Sequence, residues 1–127
     1  MRIVRKEIAT SEQLRTATEP AAYVRAVLRE GRLTAALALV VAGPACGRPF
    51  RRFFFRLAGP ANAVDKLNDA SADHARGEIR VRPGLPLRAR LALTIAVQMP
   101  ALLALHPRWG RVIGLGIKYL GSRVTPA

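Results

Sequence analysis

Acidic residues are scarce in this chain: 8 against 21 lysines and arginines among 127 residues, a net charge of +13. That deficit argues against a cationic partner and for an anionic one: nucleic acid, an acidic membrane surface or a phosphorylated ligand. Cysteine is nearly absent. Cys46 alone excludes an internal disulfide and any cysteine-based zinc pattern, and with no histidine near it in a Gly/Pro-rich turn it carries no nucleophile role. The two histidines, His74 and His106, have no partner at ligand spacing and read as ordinary surface or loop residues. Long apolar runs are missing too. The longest uncharged ones, residues 33–47 and 91–106, are about 15 residues each, where a full span needs about 20. Such runs suit buried helices, half-spans or helices lying in a bilayer interface. The N-terminal stretch MRIVRKEIATSEQLR is positively charged, but no apolar run follows it, so no signal peptide is expected. The expected location is membrane-associated or cytoplasmic.

What is present is half hydrophobic, enough for one domain with a modest core rather than a disordered tail. All but three of the basic residues (Lys6, Lys66 and Lys118) are arginine, the side chain suited to bidentate phosphate contacts. No internal repeat, alternating strand pattern or hairpin signal occurs. The expected fold is therefore all-α, with four or five helices, some apolar enough to associate with a membrane, and no significant sheet. Residues 1–19 read as a polar N-terminal segment and residues 20–127 as a single helical domain. Pro20 suits a helix N-terminus. Beyond it Tyr23, Val27 and Leu28 share a face that excludes Arg25 and Arg29, and Gly31 is expected to interrupt the helix. GPACGRP (43–49) reads as a turn, and residues 50–59 as a separate basic aromatic segment. Pro60 is expected to open a long helix ending near Gly77. Residues 79–88 read as a loop, extended before Pro83. An apolar helix with a kink at Pro100, a turn at 106–110 and a last short helix over 111–123 complete the chain.

Half of the acids lie in one stretch, VDKLNDASADHARGE (64–78), and none follows Glu78. On a helix Asp65, Asp69 and Asp73 fall on one face, about 6 Å apart along the axis, and repel one another. Such a face is either a solvated surface, with salt bridges to Lys66, Arg76 and Arg80, or a hard-oxygen site for Mg²⁺. Arg76, Arg80, Arg82, Arg88 and Arg90 follow closely. Carboxylates holding Mg²⁺ beside an arginine-rich loop suit a diphosphate, with metal on one side and guanidinium forks on the other.

The run Asp65-x3-Asp69-x3-Asp73, followed by Arg82-Pro83, resembles the first aspartate motif of UbiA-type membrane prenyltransferases. YVRAVLREGRL (23–33) is similar to that family's lead-in to its first helix, and KYLGSRVTP (118–126) to a Tyr/Lys/Arg boundary before a later one. Asp65 stands where the family has Asn, and Gly84 where Leu or Ile follows Arg-Pro. The likeness covers the first half of such an enzyme. Residues 57–79 also resemble the second aspartate motif of squalene/phytoene synthases, through Asp69, Asp73, Arg76 and Gly77. Asp65 and Asn68 stand there where Asn and Arg are expected. Both resemblances imply an all-α protein that binds an isoprenyl diphosphate through Mg²⁺. Asp65, Asp69 and Asp73 would hold the metal, and Arg76, Arg80, Arg82 and Arg88 the phosphates. Catalytic groups are not identified, and a half-enzyme would need a dimer or a second subunit.

RRFFFR (51–56) is the other distinctive segment. Arg51, Arg52, Phe53, Phe54, Phe55 and Arg56 are expected to anchor the chain on an anionic membrane, rings inward and guanidiniums at the headgroups. A stacking platform for single-stranded nucleic acid is the alternative. The competing function is thus a non-enzymatic basic helical module that docks on acidic lipid or nucleic acid, its acids only bridging neighbouring arginines. Gly114 and Gly116 make no dinucleotide fingerprint.

Overall fold

The computed structural model describes residues 2–105 and Lys118. Among them are four α-helices and no strand: α1 (Arg2–Thr16), α2 (Pro20–Ala42), α3 (Arg48–Ala75) and α4 (Leu85–Leu105). None is long and apolar enough to cross a membrane. The turn and helix expected over 106–123 lie outside the described residues, Lys118 aside.

Helix α2 is the centre, packed by α1, α3 and α4. Its buried stripe follows the helical period: Tyr23, Val27, Gly31, Ala35 and Leu39 face inward while Arg25 and Arg29 face water. Leu14 of α1 joins Tyr23, Val27, Ala63, Leu87 and Leu91 in the main core. Ile79 and Val81, from the loop before α4, enter the same cluster. A smaller cluster at the other end joins Phe53 and Leu57 of α3 to Met99 and Leu102 of α4.

Gly31 does not interrupt α2, as the sequence had led us to expect. It marks the place where α3 crosses. A Cβ there would overlap the Ala58 carbonyl and stand 2.9 Å from the Asn62 Cβ. Gly59 completes the contact from α3, its face against Leu28. Nor does Pro60 open a helix. One helix runs from Arg48 through the basic aromatic segment to Ala75, with Pro60 buried inside it. Pro60 forgoes one backbone hydrogen bond, and packing on α2 and α4 outweighs that loss.

Two termini set the site. Helix α2 ends at Gly43, whose φ of 65° lets its N–H reach the Leu39 and Val40 carbonyls. Arg51 Nη1 then donates to the Gly43 carbonyl at 2.8 Å and the Leu39 carbonyl at 3.3 Å, tying the start of α3 to the end of α2. Helix α3 ends in a left-handed Gly77 (φ 73°), with Gly77 N–H on the His74 carbonyl and Glu78 N–H on the Asp73 carbonyl. This paired closure is the Schellman pattern, and it turns the chain back towards α4 directly beside Asp73.

Candidate functional site: a carboxylate cluster between α2 and α3

The three aspartates share one face of α3 but not one environment. Asp65 and Asp69 are exposed and Asp73 is buried. A buried carboxylate needs compensating charge. Asp73 has it from Arg76 Nη2 at 2.5 Å and from Lys66 Nζ at 3.6 Å. Arg76 also donates through Nε to Glu78 Oε1 at 2.7 Å. The result is a ladder, Lys66–Asp73–Arg76–Glu78, across the end of α3.

Helix α2 adds groups that the aspartate spacing alone did not signal. Glu30 accepts from Asn62 Nδ2 at 3.0 Å, and the same amide donates to the Val27 carbonyl at 2.8 Å. Tyr23 is fully buried, and its hydroxyl has no hydrogen-bond partner among the described residues. Burial pushes the Tyr23 phenol well above its usual range, and the charges of Asp73, Glu30 and Asp65 push it further. The hydroxyl therefore sits in the field of all three carboxylates. The Asp65 carboxyl, exposed overall but partly desolvated where it lines the α2/α3 groove, is likewise raised, first by that desolvation and then by Asp69, with Asp73 and Glu30 adding to an effect that Lys66 only partly offsets. A signal existed in the sequence: Glu30 follows Tyr23 and Val27 at helical spacing, which puts an acid on the core stripe of α2.

Two of the recesses that adjoin the cluster bear on its chemistry. A crevice of about 540 Å³ is walled by Glu30, Lys66, Asp73 and Arg76, with Ser11 and Arg15 of α1 opposite. A groove of about 300 Å³ runs between α2 and α3, lined by Ala35, Ala38, Phe54, Leu57 and Ala61, and ends at Asn62 and Asp65.

The arginines assigned to the phosphates divide. Arg76 stands in the ladder. Arg80 and Arg82 are exposed and make no hydrogen bond or ion pair among the described residues. Arg88 is elsewhere: its Nη2 donates to Ser71 Oγ at 2.9 Å, and Ser71 lies half a turn round α3 from Asp69 and Asp73. Arg88 ties α4 to α3 and does not face the carboxylates.

The membrane segment divides as well. Phe53 is buried against Leu102, and Phe50 stacks on Phe54 with ring centres 5.8 Å apart. Arg51 is bound to the end of α2. Only Arg52, Phe55 and Arg56 of the six face outward. Six consecutive residues of a helix point all round it, so they cannot act as one anchor.

Among the described residues no three His, Cys, Asp or Glu side chains stand close enough to hold a metal ion by themselves. Mg²⁺ seldom needs that many, since one or two carboxylates with waters and phosphate oxygens complete its shell. The exposed Asp65, whose charge Asp69 makes less favourable, and Asp69 beside it fit that requirement better than the ion-paired Asp73. Comparison with protein-family models, curated proteins and solved structures found no match to the chain.

Proposed function

We propose that this chain binds the Mg²⁺ complex of an isoprenyl diphosphate as part of a prenyltransferase-like site. One observation carries the reading: the apolar α2/α3 groove ends at Asp65 and Asn62, beside the carboxylate cluster. A molecule with an apolar tail and a diphosphate head has both ends matched there. Mg²⁺, when bound, draws negative charge off the diphosphate. Asp65 and Asp69 present oxygens to it, and Arg76, Arg80 and Arg82 take the phosphate oxygens by charge-assisted hydrogen bonds. Ala35, Ala38 and Leu57 line the path of the tail and exclude water from it. Turnover would call for a second half or a partner chain. The test is calorimetry with Mg²⁺ plus farnesyl diphosphate and Mg²⁺ plus inorganic diphosphate. Wild type should bind both, Asp69→Asn neither, and Ala38→Trp only the inorganic ligand. Equal binding by wild type and Asp69→Asn would sink the reading.

A second reading is favoured by the ladder itself. Lys66 and Arg76 already neutralise Asp73, as expected of a non-enzymatic basic module that docks on acidic lipid or nucleic acid. Its acids would then serve only the fold.

A further inference from the structure

Charge along this chain is segregated more sharply than its total shows. No Asp or Glu occurs from residue 31 to residue 64, nor after residue 78. Within the described residues, the fold brings the end of α2, the start of α3 and the second half of α4, all parts of these acid-free stretches, to one pole. Arg51 ties the start of α3 to the end of α2, and Phe53 and Leu102 bring the second half of α4 to the same place. The carboxylate cluster lies towards the opposite end of α3.

That pole is basic and apolar together. Arg48, Arg52 and Arg56 are all exposed, and their four-residue spacing puts them on one face of α3. Beside them the last turn of α2 leaves Val40 64% and Val41 89% exposed. Helix α4 carries no charge after Arg90. Its outer face leaves Val97 63% exposed, with Ala101 and Ala104 also open to water. A helix that is apolar all round is normally covered.

We propose that this pole docks on the surface of an anionic phospholipid bilayer, lying in the interface without spanning it. Charge decides between the occupants. A second copy would bring the same arginines against these, and the nearest carboxylate, Glu7 on Thr34 Oγ1, stands about two turns back along α2 from Val41. Single-stranded nucleic acid would satisfy the arginines but offers nothing to Val40, Val41 and Val97. The stacking it needs is largely withdrawn, because Phe53 is buried and Phe50 and Phe54 cover each other. A bilayer interface takes guanidiniums at its headgroups and aliphatic side chains just below them. The inference names a face and a ligand that hold whether or not the diphosphate site does.

The experiment is sedimentation of the full chain with phosphatidylcholine vesicles, with and without phosphatidylserine. Wild type should bind only the anionic vesicles, more weakly but still measurably at high salt. Replacing Arg48, Arg52 and Arg56 by Gln should cost about 5-fold each, roughly two orders of magnitude together, and abolish the salt dependence. Val40→Ser with Val41→Ser should remove the part that salt does not screen. Arg25→Gln with Arg29→Gln, exposed on the other half of α2, should behave as wild type. Circular dichroism checks that each variant is folded. The proposal is overturned if wild type ignores phosphatidylserine vesicles, or if both pole variants bind as wild type does. It is equally overturned if light scattering finds a dimer that the valine variant splits, or if the arginines are needed for single-stranded DNA and not for vesicles.

Discussion

Gly31→Ala is the sharpest probe of the α2/α3 crossing that forms the groove. Judged by helix propensity alone, alanine in mid-helix should stabilise α2 by about 1 kcal/mol. The structure reverses the sign. The new methyl would overlap the Ala58 carbonyl and crowd the Asn62 Cβ. The carbonyl belongs to backbone inside α3 and cannot rotate away as a side-chain tip could. The helices must part, and overpacking of this kind costs about 1–3 kcal/mol, more where the obstacle is rigid. Parting them also strains the two Asn62 hydrogen bonds, each worth about 1 kcal/mol. Setting these losses against the propensity gain leaves a net loss of about 2 kcal/mol, a fall in Tm of about 8 °C for a chain of this size. Arg29→Ala, exposed on the same helix, should stay within about 0.5 kcal/mol of wild type. Urea unfolding of the three proteins checks this, with a lower midpoint and unchanged slope expected for Gly31→Ala alone. A Gly31→Ala protein as stable as wild type, or more so, would show that α2 and α3 do not cross there.

Tyr23→Phe should leave stability unchanged or raise it by up to about 1 kcal/mol, because it removes a buried hydroxyl that has no partner among the described residues; thermal melts read this directly. Asp73→Ala should cost about 2–3 kcal/mol in chemical denaturation. Lys66 and Arg76 lose their anion, but Arg76 is more than half exposed, so the full penalty of a buried pair does not apply. For Asp65 the sign follows from its raised carboxyl. A folded-state value above the unfolded one penalises the native state at neutral pH, and the penalty vanishes as pH falls through the carboxylate range. Asp65→Asn should therefore be the more stable protein at pH 7, with the advantage lost near pH 4; melts at both pH values test it.

The helical class and the inward stripe Tyr23, Val27, Leu28 were legible because they depend on period alone. The two breaker residues were misread for one reason. Gly31 and Pro60 mark helix ends when only local chain preference acts, but here each sits in a tertiary contact that outweighs it. The aspartate face was visible as spacing. That Asp73 would be buried while Asp65 and Asp69 stay open was not, because burial depends on where α1, α2 and the loop after Gly77 come to rest. Glu30 and Tyr23 belong to the site through α2 packing on α3, a contact between residues more than thirty apart in sequence, which no local pattern contains.

Helix α3 holds the aspartates and the outward arginines on a single rod, and so fixes a height. From Phe55 to Asp73 it rises about 27 Å, and from Phe54 to Asp65, the length of the groove, about 16 Å. If the arginine face rests on a bilayer, these rises are the most by which the carboxylates can stand clear of it, and the groove is the apolar path between the two levels. A lipid could then keep its tail end near the membrane while its head meets Asp65 only if the tail reaches that far. Chain length would be measured by the helix rather than by the shape of any closed pocket.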